Sequence, residues 1–121
     1  MKKVLVVDDI GIIRRHFRTL LSNLGCEEII EATNGVEAMV KASQHKPDLI
    51  FLDLLMPVMN GYEALPKLRE SCPNARIVIV SSVEAVQKEE WCYENGADAY
   101  FEKPLSQYKI AEVAGISSFA V

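Results

Sequence analysis

Carboxylates stand at two places in the sequence where a short apolar run stops. Asp8 and Asp9 follow "VLVV" directly, and Asp53 follows "LIFL". Two adjacent like charges are typical either of a solvated loop or of a site that takes a cation. If the two runs form neighbouring strands, the three carboxylates meet and repel each other, so a divalent cation is the natural counter-charge. Ligation by oxygen atoms alone favours Mg²⁺ or Mn²⁺.

A hydroxyl and an ammonium group stand at the ends of two further apolar runs. Ser81 and Ser82 follow "ARIVIV", and Lys103 comes shortly after "ADAYF". A donor and a cation opposite several carboxylates fit an anion with several oxygens, and a phosphoryl group is the natural candidate. One carboxylate would then be the nucleophile, since aspartate forms aspartyl-phosphates. Asp53 is the better candidate because its strand is predicted to be central.

Five apolar runs predict the strands that position these residues. The runs recur at a regular spacing, over residues 4–7, 27–32, 48–53, 75–80 and 97–101. The segments between them have the periodicity of amphipathic helices. This alternation predicts right-handed βαβ units, so we expect an α/β fold with a five-stranded, parallel, doubly wound sheet and five helices on its two faces. A ligand site is then expected at the carboxyl ends of the strands.

Capping residues predict where several helices begin and end. Gly25 can close the first helix, and Asn34 and Asn60 each precede a glutamate by three residues, as in a capping box. The fourth helix can run over Ser82–Gly96. The fifth is predicted only weakly, from about Ser106.

Two of the predicted helices contain residues that disfavour helical structure. Pro66 lies inside the third helix, so that helix either kinks or begins later than Asn60 indicates. The fifth contains Gly115 and is followed by "ISSF". It is therefore expected either to be short, or to end in a chain cut from a longer protein.

Composition excludes several classes of protein. The chain has 121 residues, 50% of them hydrophobic, so we expect one domain, residues 1–121, with its own core. The net charge of −4 provides no basic surface for nucleic acid. No apolar run approaches the roughly 20 residues of a membrane helix. The start "MKKVLVVDD" is not a signal peptide, and three dispersed cysteines indicate reduced thiols, so we expect a cytoplasmic protein.

The chain resembles the receiver domains of two-component response regulators, in particular the single-domain type that includes the chemotaxis regulator. The resemblance covers about residues 3 to 105. It rests on "VDD" (7–9), "DLLMPVMNG" (53–61), "IVSS" (79–82) and "GADAYFEKP" (96–104), in this order and at compatible spacings. Each motif alone is common, but the four fall at four separate strand ends.

The resemblance implies a role for each residue at the acidic end. Asp53 would accept a phosphoryl group from the phosphohistidine of a sensor histidine kinase or a phosphotransfer protein. Asp8 and Asp9 would hold Mg²⁺ together with Asp53, with Asp9 as a direct ligand and the Leu55 backbone carbonyl completing the shell. Lys103 would be the family's lysine.

The resemblance also implies a switch. Ser81 matches the hydroxyl that binds the phosphoryl group, and Tyr100 matches an aromatic side chain that swings inward on activation. A fixed, half-buried Tyr100 is the alternative. Pro104 matches a Lys-Pro bond that is usually cis. An output partner would read the face made by the fourth helix, fifth strand and fifth helix, where Trp91 is either an exposed anchor or partly buried.

Two positions bear on the lifetime of the phosphorylated state. In the family, the residues two beyond the acceptor and two beyond the switch hydroxyl influence the attacking water. Here they are Leu55 and Val83, which can neither orient nor deprotonate water. We therefore expect slow self-dephosphorylation.

Three other functions compete with this interpretation. A receiver-like binding module could act without phosphorylation. A phosphatase of the haloacid dehalogenase type also uses an aspartate nucleophile, but it needs a second aspartate where Leu55 stands. A flavodoxin-like nucleotide binder would need a glycine-rich loop after the first strand. The favoured expectation is a switch in a two-component phosphorelay that assists its own phosphotransfer and is not an enzyme with an external substrate.

Overall fold

A computed structural model describes residues 3–82 and 88–115, and these residues form the predicted α/β fold. Five parallel strands make one sheet in the order β2-β1-β3-β4-β5. The strands are β1 Lys3–Val7, β2 Glu28–Ala32, β3 Leu49–Leu52, β4 Arg76–Ser81 and β5 Ala99–Glu102, and the helices are α1 Gly11–Asn23, α2 Gly35–His45, α3 Gly61–Ser71, α4 Glu89–Glu94 and α5 Gln107–Ala114.

The central strands are apolar on both faces because helices cover both sides of the sheet. Leu5 and Ile50 point into one core, which helices α2, α3 and α4 complete. Val4 and Phe51 point into the other core, together with α1 and α5. Strand order reverses at β1, so β1 and β3 flank the switch point at which ligands bind in doubly wound sheets.

The predicted caps of the first two helices are present, with one difference. Gly25 has φ +89° and closes α1, with its N–H bonded to the Ser22 carbonyl at 3.0 Å. In α2, the Asn34 side chain accepts from the Glu37 N–H at 2.9 Å. The Glu37 carboxylate, however, accepts from the Thr33 N–H at 2.7 Å. The prediction of a reciprocal box at Asn34 is therefore wrong, since the second bond reaches one residue further back.

The third helix begins early despite its proline. A full capping box joins Asn60 and Glu63, and α3 starts at Gly61 with Pro66 inside it. The alternative of a later start is wrong, because the capping box provides partners for first-turn N–H groups.

The last two helices differ in how well the sequence predicted them. Helix α4 covers only Glu89–Glu94, with Lys88 as its N-cap, so the prediction of one continuous helix over Ser82–Gly96 is wrong. Residues 83–87 lie outside the described residues. The fifth helix begins after Ser106, whose hydroxyl accepts from the Lys109 N–H at 3.1 Å, and Gly115 ends it at φ +71°. No helix among the described residues has the length and apolar character needed to cross a membrane.

Two glycines hold the loop that follows β3. The Gly35 N–H donates to the Met59 carbonyl at 2.8 Å, and the Gly61 N–H donates to the Leu54 carbonyl at 2.9 Å. A Cβ on Gly61 would lie 2.8 Å from the Leu54 Cα and closer still to the Asp53 carbonyl oxygen. The start of α3 thus packs directly on the backbone of Asp53.

We expect Gly61→Ala to destabilise the protein by about 2 kcal/mol or more, since the methyl group meets backbone that cannot yield cheaply. Gly11→Ala is the matched control, because its Cβ would meet only Arg14 Nη2 at 3.6 Å, an ordinary contact. Urea unfolding of both variants measures the difference. Equal stabilities of the two variants would contradict the close approach at Gly61.

Candidate functional site

Three carboxylates meet at the carboxyl ends of β1 and β3. Asp8, Asp9 and Asp53 each offer an oxygen, and these oxygens all lie within 4.8 Å of one another. The parallel register brings them together: Val7 pairs with Leu52, and the Asp53 N–H donates to the Val7 carbonyl at 3.0 Å. Asp8 and Asp53 are 3% and 4% exposed, whereas Asp9 is exposed at the rim.

The lysine after β5 reaches the same cluster. Lys103 Nζ lies 2.8 Å from Asp8 Oδ2 and 3.4 Å from Asp53 Oδ2. Its backbone N–H donates to the Ser81 carbonyl at 2.8 Å, which fixes where the side chain leaves β5. The Lys103-Pro104 peptide bond is cis, the isomer that the resemblance implied.

Burial and repulsion raise the proton affinity of the central carboxylate. Loss of water raises the pKa of Asp53 to about 6; the Asp8 charge adds to the shift, and Lys103 and the Leu55 N–H oppose it. Burial alone would lower the pKa of Lys103, but its hydrogen bond to Asp8 and the Asp53 charge outweigh that and raise it. When all three carboxylates are ionised, the positive charge of Lys103 offsets one of the three negative charges. The two that remain are the charge that one divalent cation would balance.

Two buried oxygens among the described residues lack a hydrogen-bond partner. They are Asp53 Oδ1 and Ser81 Oγ, at the ends of neighbouring strands β3 and β4. A buried polar atom without a partner costs free energy, so such a pair indicates a ligand. A hard cation suits the carboxylate oxygen, and an acceptor such as a phosphoryl oxygen suits the hydroxyl. The residues present therefore fit Mg²⁺.

Leu55 and Val83 are the two positions expected to affect dephosphorylation. The backbone N–H of Leu55 acts to lower the pKa of Asp53, and the Leu55 side chain is 40% exposed. Its carbonyl as a metal ligand stays a prediction. Val83 lies outside the described residues.

Tyr100 is half-buried and packs against the core of α2, α3 and α4, as do Tyr62, Trp91, Met56 and Met59. Trp91 meets the Tyr62 ring edge-on with centroids 5.7 Å apart. Of the two states expected for Trp91, partial burial is the one found. Whether Tyr100 moves stays a prediction.

One contact of the site was not expected from the sequence. Arg14 Nη1 donates to the Asp8 backbone carbonyl at 2.9 Å. The scattered charges of "IIRRHFR" do not single out Arg14, but its place in the first turn of a helix directly after Asp8 is a signal that could have.

Comparison with known proteins places this geometry in one family. The protein-family model of the response regulator receiver domain matches residues 4–114 of this chain. The chemotaxis protein CheY of Thermotoga maritima is 33% identical over 111 residues, which cover 92% of each chain. That of Bacillus subtilis is 31% identical over 110 residues, covering 91% of this chain and 92% of the relative.

Solved structures agree with the sequence matches. The CheX-CheY-BeF3-Mg complex from Borrelia burgdorferi matches with TM-score 0.86 and 30% identity, covering 99% of this chain and 90% of the other. A CheY-like receiver domain protein from Methanospirillum hungatei matches with TM-score 0.89 and 26% identity, covering 95% of this chain and 91% of the other.

The raised pKa of Asp53 predicts a pH-dependent stability without divalent ions. The folded protein binds this proton more tightly than the unfolded chain, so the contribution of Asp53 to stability falls as pH rises from about 4 through about 6. Asp53→Asn lacks that fall. We expect the variant to be more stable by about 1–2 kcal/mol near pH 7.5, with the difference shrinking towards pH 4.

Urea unfolding of wild type and variant across pH, in the presence of a chelator, measures this difference. Titrating groups that do not contact Asp53, such as Glu31, cancel in the comparison. A stability difference that does not change with pH would show that Asp53 has an ordinary pKa.

Proposed function

The chain belongs to the response regulator receiver family, and from this premise we propose that it is a phosphorylation-activated switch with Asp53 as acceptor. One observation carries the proposal: Lys103 Nζ lies within 3.4 Å of both Asp8 and Asp53, beside a buried Asp53 oxygen without a partner. This arrangement provides a nucleophile and a fixed cation for one phosphoryl group. In this proposal the phosphoryl group is transferred to the protein itself. We therefore propose that the protein is not an enzyme with an external substrate.

In the proposed transfer, an Asp53 oxygen attacks the phosphorus of a phosphohistidine on a sensor histidine kinase or phosphotransfer protein. The P–O bond forms, the P–N bond breaks, and the histidine nitrogen keeps the electron pair. With a pKa of about 6, Asp53 is largely ionised at neutral pH and more basic than an ordinary carboxylate. Lys103 offsets negative charge on the phosphoryl oxygens in a loose transition state.

Asp8, Asp9 and Asp53, with the Leu55 carbonyl, are the residues that would hold Mg²⁺. When bound, the ion supplies Lewis-acid stabilisation of phosphoryl charge. The family binds Mg²⁺ at an acidic pocket, and the solved CheX-CheY relative contains it. That relative also supports a protein partner for this chain.

The switch follows from the buried hydroxyl of Ser81. Its oxygen has no partner among the described residues, so a phosphoryl oxygen on Asp53 would give it one. Movement of Ser81 would leave space that Tyr100 can fill, and the face of α4, β5 and α5 would change for an output partner. This is a two-state element biased by the charge change at Asp53. A cytoplasmic location fits such a partner network and is proposed with it.

Intact mass after incubation with a small phosphodonor tests the acceptor. We expect wild type to gain one phosphoryl group with Mg²⁺ and none in a chelator, and Asp53→Asn to gain none. Asp48→Asn is the matched control, because Asp48 lies at the opposite end of β3 and should behave as wild type. No gain by folded wild type under any condition would favour a binding module that acts without phosphorylation.

The lifetime of the phosphorylated state tests the role of Leu55. An apolar side chain beside Asp53 cannot hold the attacking water, so we expect slow decay. Leu55→Asn should accelerate hydrolysis by about 3–10-fold, since an amide can orient water. Leu55→Met, which stays apolar, should decay like wild type. Release of phosphate from purified phosphoprotein measures the rates, and identical decay of the Asn and Met variants would contradict the assignment.

A further inference from the structure

We propose that Arg14 is a positioning residue for the divalent-cation site, acting through the backbone of Asp8. Its side chain is 18% exposed. Nη1 donates to the Asp8 carbonyl at 2.9 Å, and Nε donates to Glu31 Oε1 at 3.0 Å. The guanidinium thus joins the loop after β1 to strand β2. The inference rests on the proposed function, because it concerns the same cation site.

The carbonyl that Arg14 holds belongs to the peptide joining Asp8 to Asp9. Strand β1 ends at Val7, and the last bond to β2 runs from the Asp8 N–H to the Ala32 carbonyl at 3.1 Å. Because a peptide is planar, fixing its carbonyl fixes the direction in which Asp9 leaves the strand. Asp9 is the exposed carboxylate of the three, so burial constrains it least. The hydrogen bond from Arg14 therefore orients Asp9, which few packing contacts constrain.

The side chain of Asp8 is already held without Arg14. Its Oδ1 accepts from the Ile10 N–H at 2.9 Å, and its Oδ2 accepts from Lys103 Nζ at 2.8 Å. The Ile10 bond also spans Asp9, so loss of Arg14 would leave the carboxylate of Asp8 in place and remove one of the two contacts that orient the peptide carrying Asp9. The expected consequence is weaker cation binding, with the acceptor and the lysine still present.

Arg14 is itself oriented by Glu31. The other oxygen of Glu31 accepts from Arg18 Nε at 2.6 Å, and the Arg18 Nη2 donates to the Ile29 carbonyl at 2.8 Å. Arg14 and Arg18 therefore share a partner on β2, but of these two side chains only Arg14 contacts the acidic loop. A planar guanidinium can make both of the Arg14 contacts at once, which a lysine ammonium cannot do with the same geometry.

Charge and positioning predict opposite effects on cation binding. Arg14 is a cation near the site, so its charge repels a divalent ion and its removal should strengthen binding. Loss of positioning should weaken binding instead. Arg18→Gln removes the same charge from the same helix and the same carboxylate, so it isolates the contact with Asp8.

The experiment is calorimetric titration of Mg²⁺ into the metal-free full chain. We expect the Kd of Arg14→Gln to rise about 10-fold, as for other residues that orient metal ligands. Arg18→Gln should bind as tightly as wild type or more tightly. Arg14→Lys keeps the repelling charge but cannot make both contacts, so it should bind more weakly than wild type. Urea unfolding shows that each variant is folded at the titration temperature. With a small phosphodonor, Arg14→Gln should need more Mg²⁺ for half-maximal rate but approach the wild-type rate at saturation.

Three outcomes would overturn the inference. Equal Kd values for Arg14→Gln and wild type would show that the contact does not position Asp9. Equal weakening in Arg14→Gln and Arg18→Gln would assign the effect to the shared pairing with Glu31. No Mg²⁺ binding by folded wild type would overturn the proposed function as well, whereas Mg²⁺-dependent phosphorylation of Asp53 with an unchanged Kd in Arg14→Gln would overturn this inference alone.

Discussion

The structure depends on one constraint: two buried carboxylates lie side by side and must be kept there. The pairing of β1 with β3 places Asp8 and Asp53 at adjacent strand ends, each less than 5% exposed. Such a pair is unfavourable in isolation, because burial removes water from the charges and like charges repel each other. Lys103 offsets part of this cost from the end of β5. The free energy that maintains the arrangement comes from the two apolar cores that sandwich the sheet.

The loops around the site are held by backbone contacts. Gly35 and Gly61 accept the close approach of the loop after β3, which carries Leu55 and Met59. Within that loop, Val58 has φ +69° and is 80% exposed. A β-branched residue in the left-handed region costs about 1–3 kcal/mol, and such departures gather at functional sites. The loop beside Asp53 is thus held in an unfavourable conformation.

Several partly buried aromatic and methionine side chains pack against the same core. Met56 and Met59 belong to the loop after β3, Tyr62 to α3, Trp91 to α4 and Tyr100 to β5, and all pack against one core. The loop after β3 therefore shares one core with α4 and β5. Packing of this kind can have discrete alternative arrangements, which is what a two-state switch requires.

The sequence by itself determined the fold class, the strands and most helix boundaries, because these follow from local periodicity and capping. It also placed Asp8, Asp9, Asp53, Ser81 and Lys103 at strand ends, and parallel strands bring such ends to one edge. Only the tertiary structure decided how these residues meet: Lys103 bonds to Asp8 across 95 positions of sequence, and Asp53 Oδ1 and Ser81 Oγ are buried without a partner.

Two further contacts were not predicted correctly from the sequence. One depends on the packing of a helix beside a strand, and the other lies one residue away from its predicted position. Arg14 reaches back to the Asp8 carbonyl because α1 packs beside the end of β1, and Glu37 caps Thr33 instead of Asn34. Trp91 is half-buried because Tyr62 lies beside it. Local preference predicts which element a residue occupies, but its partners are set by side-chain packing between elements distant in sequence, and no local pattern encodes that packing.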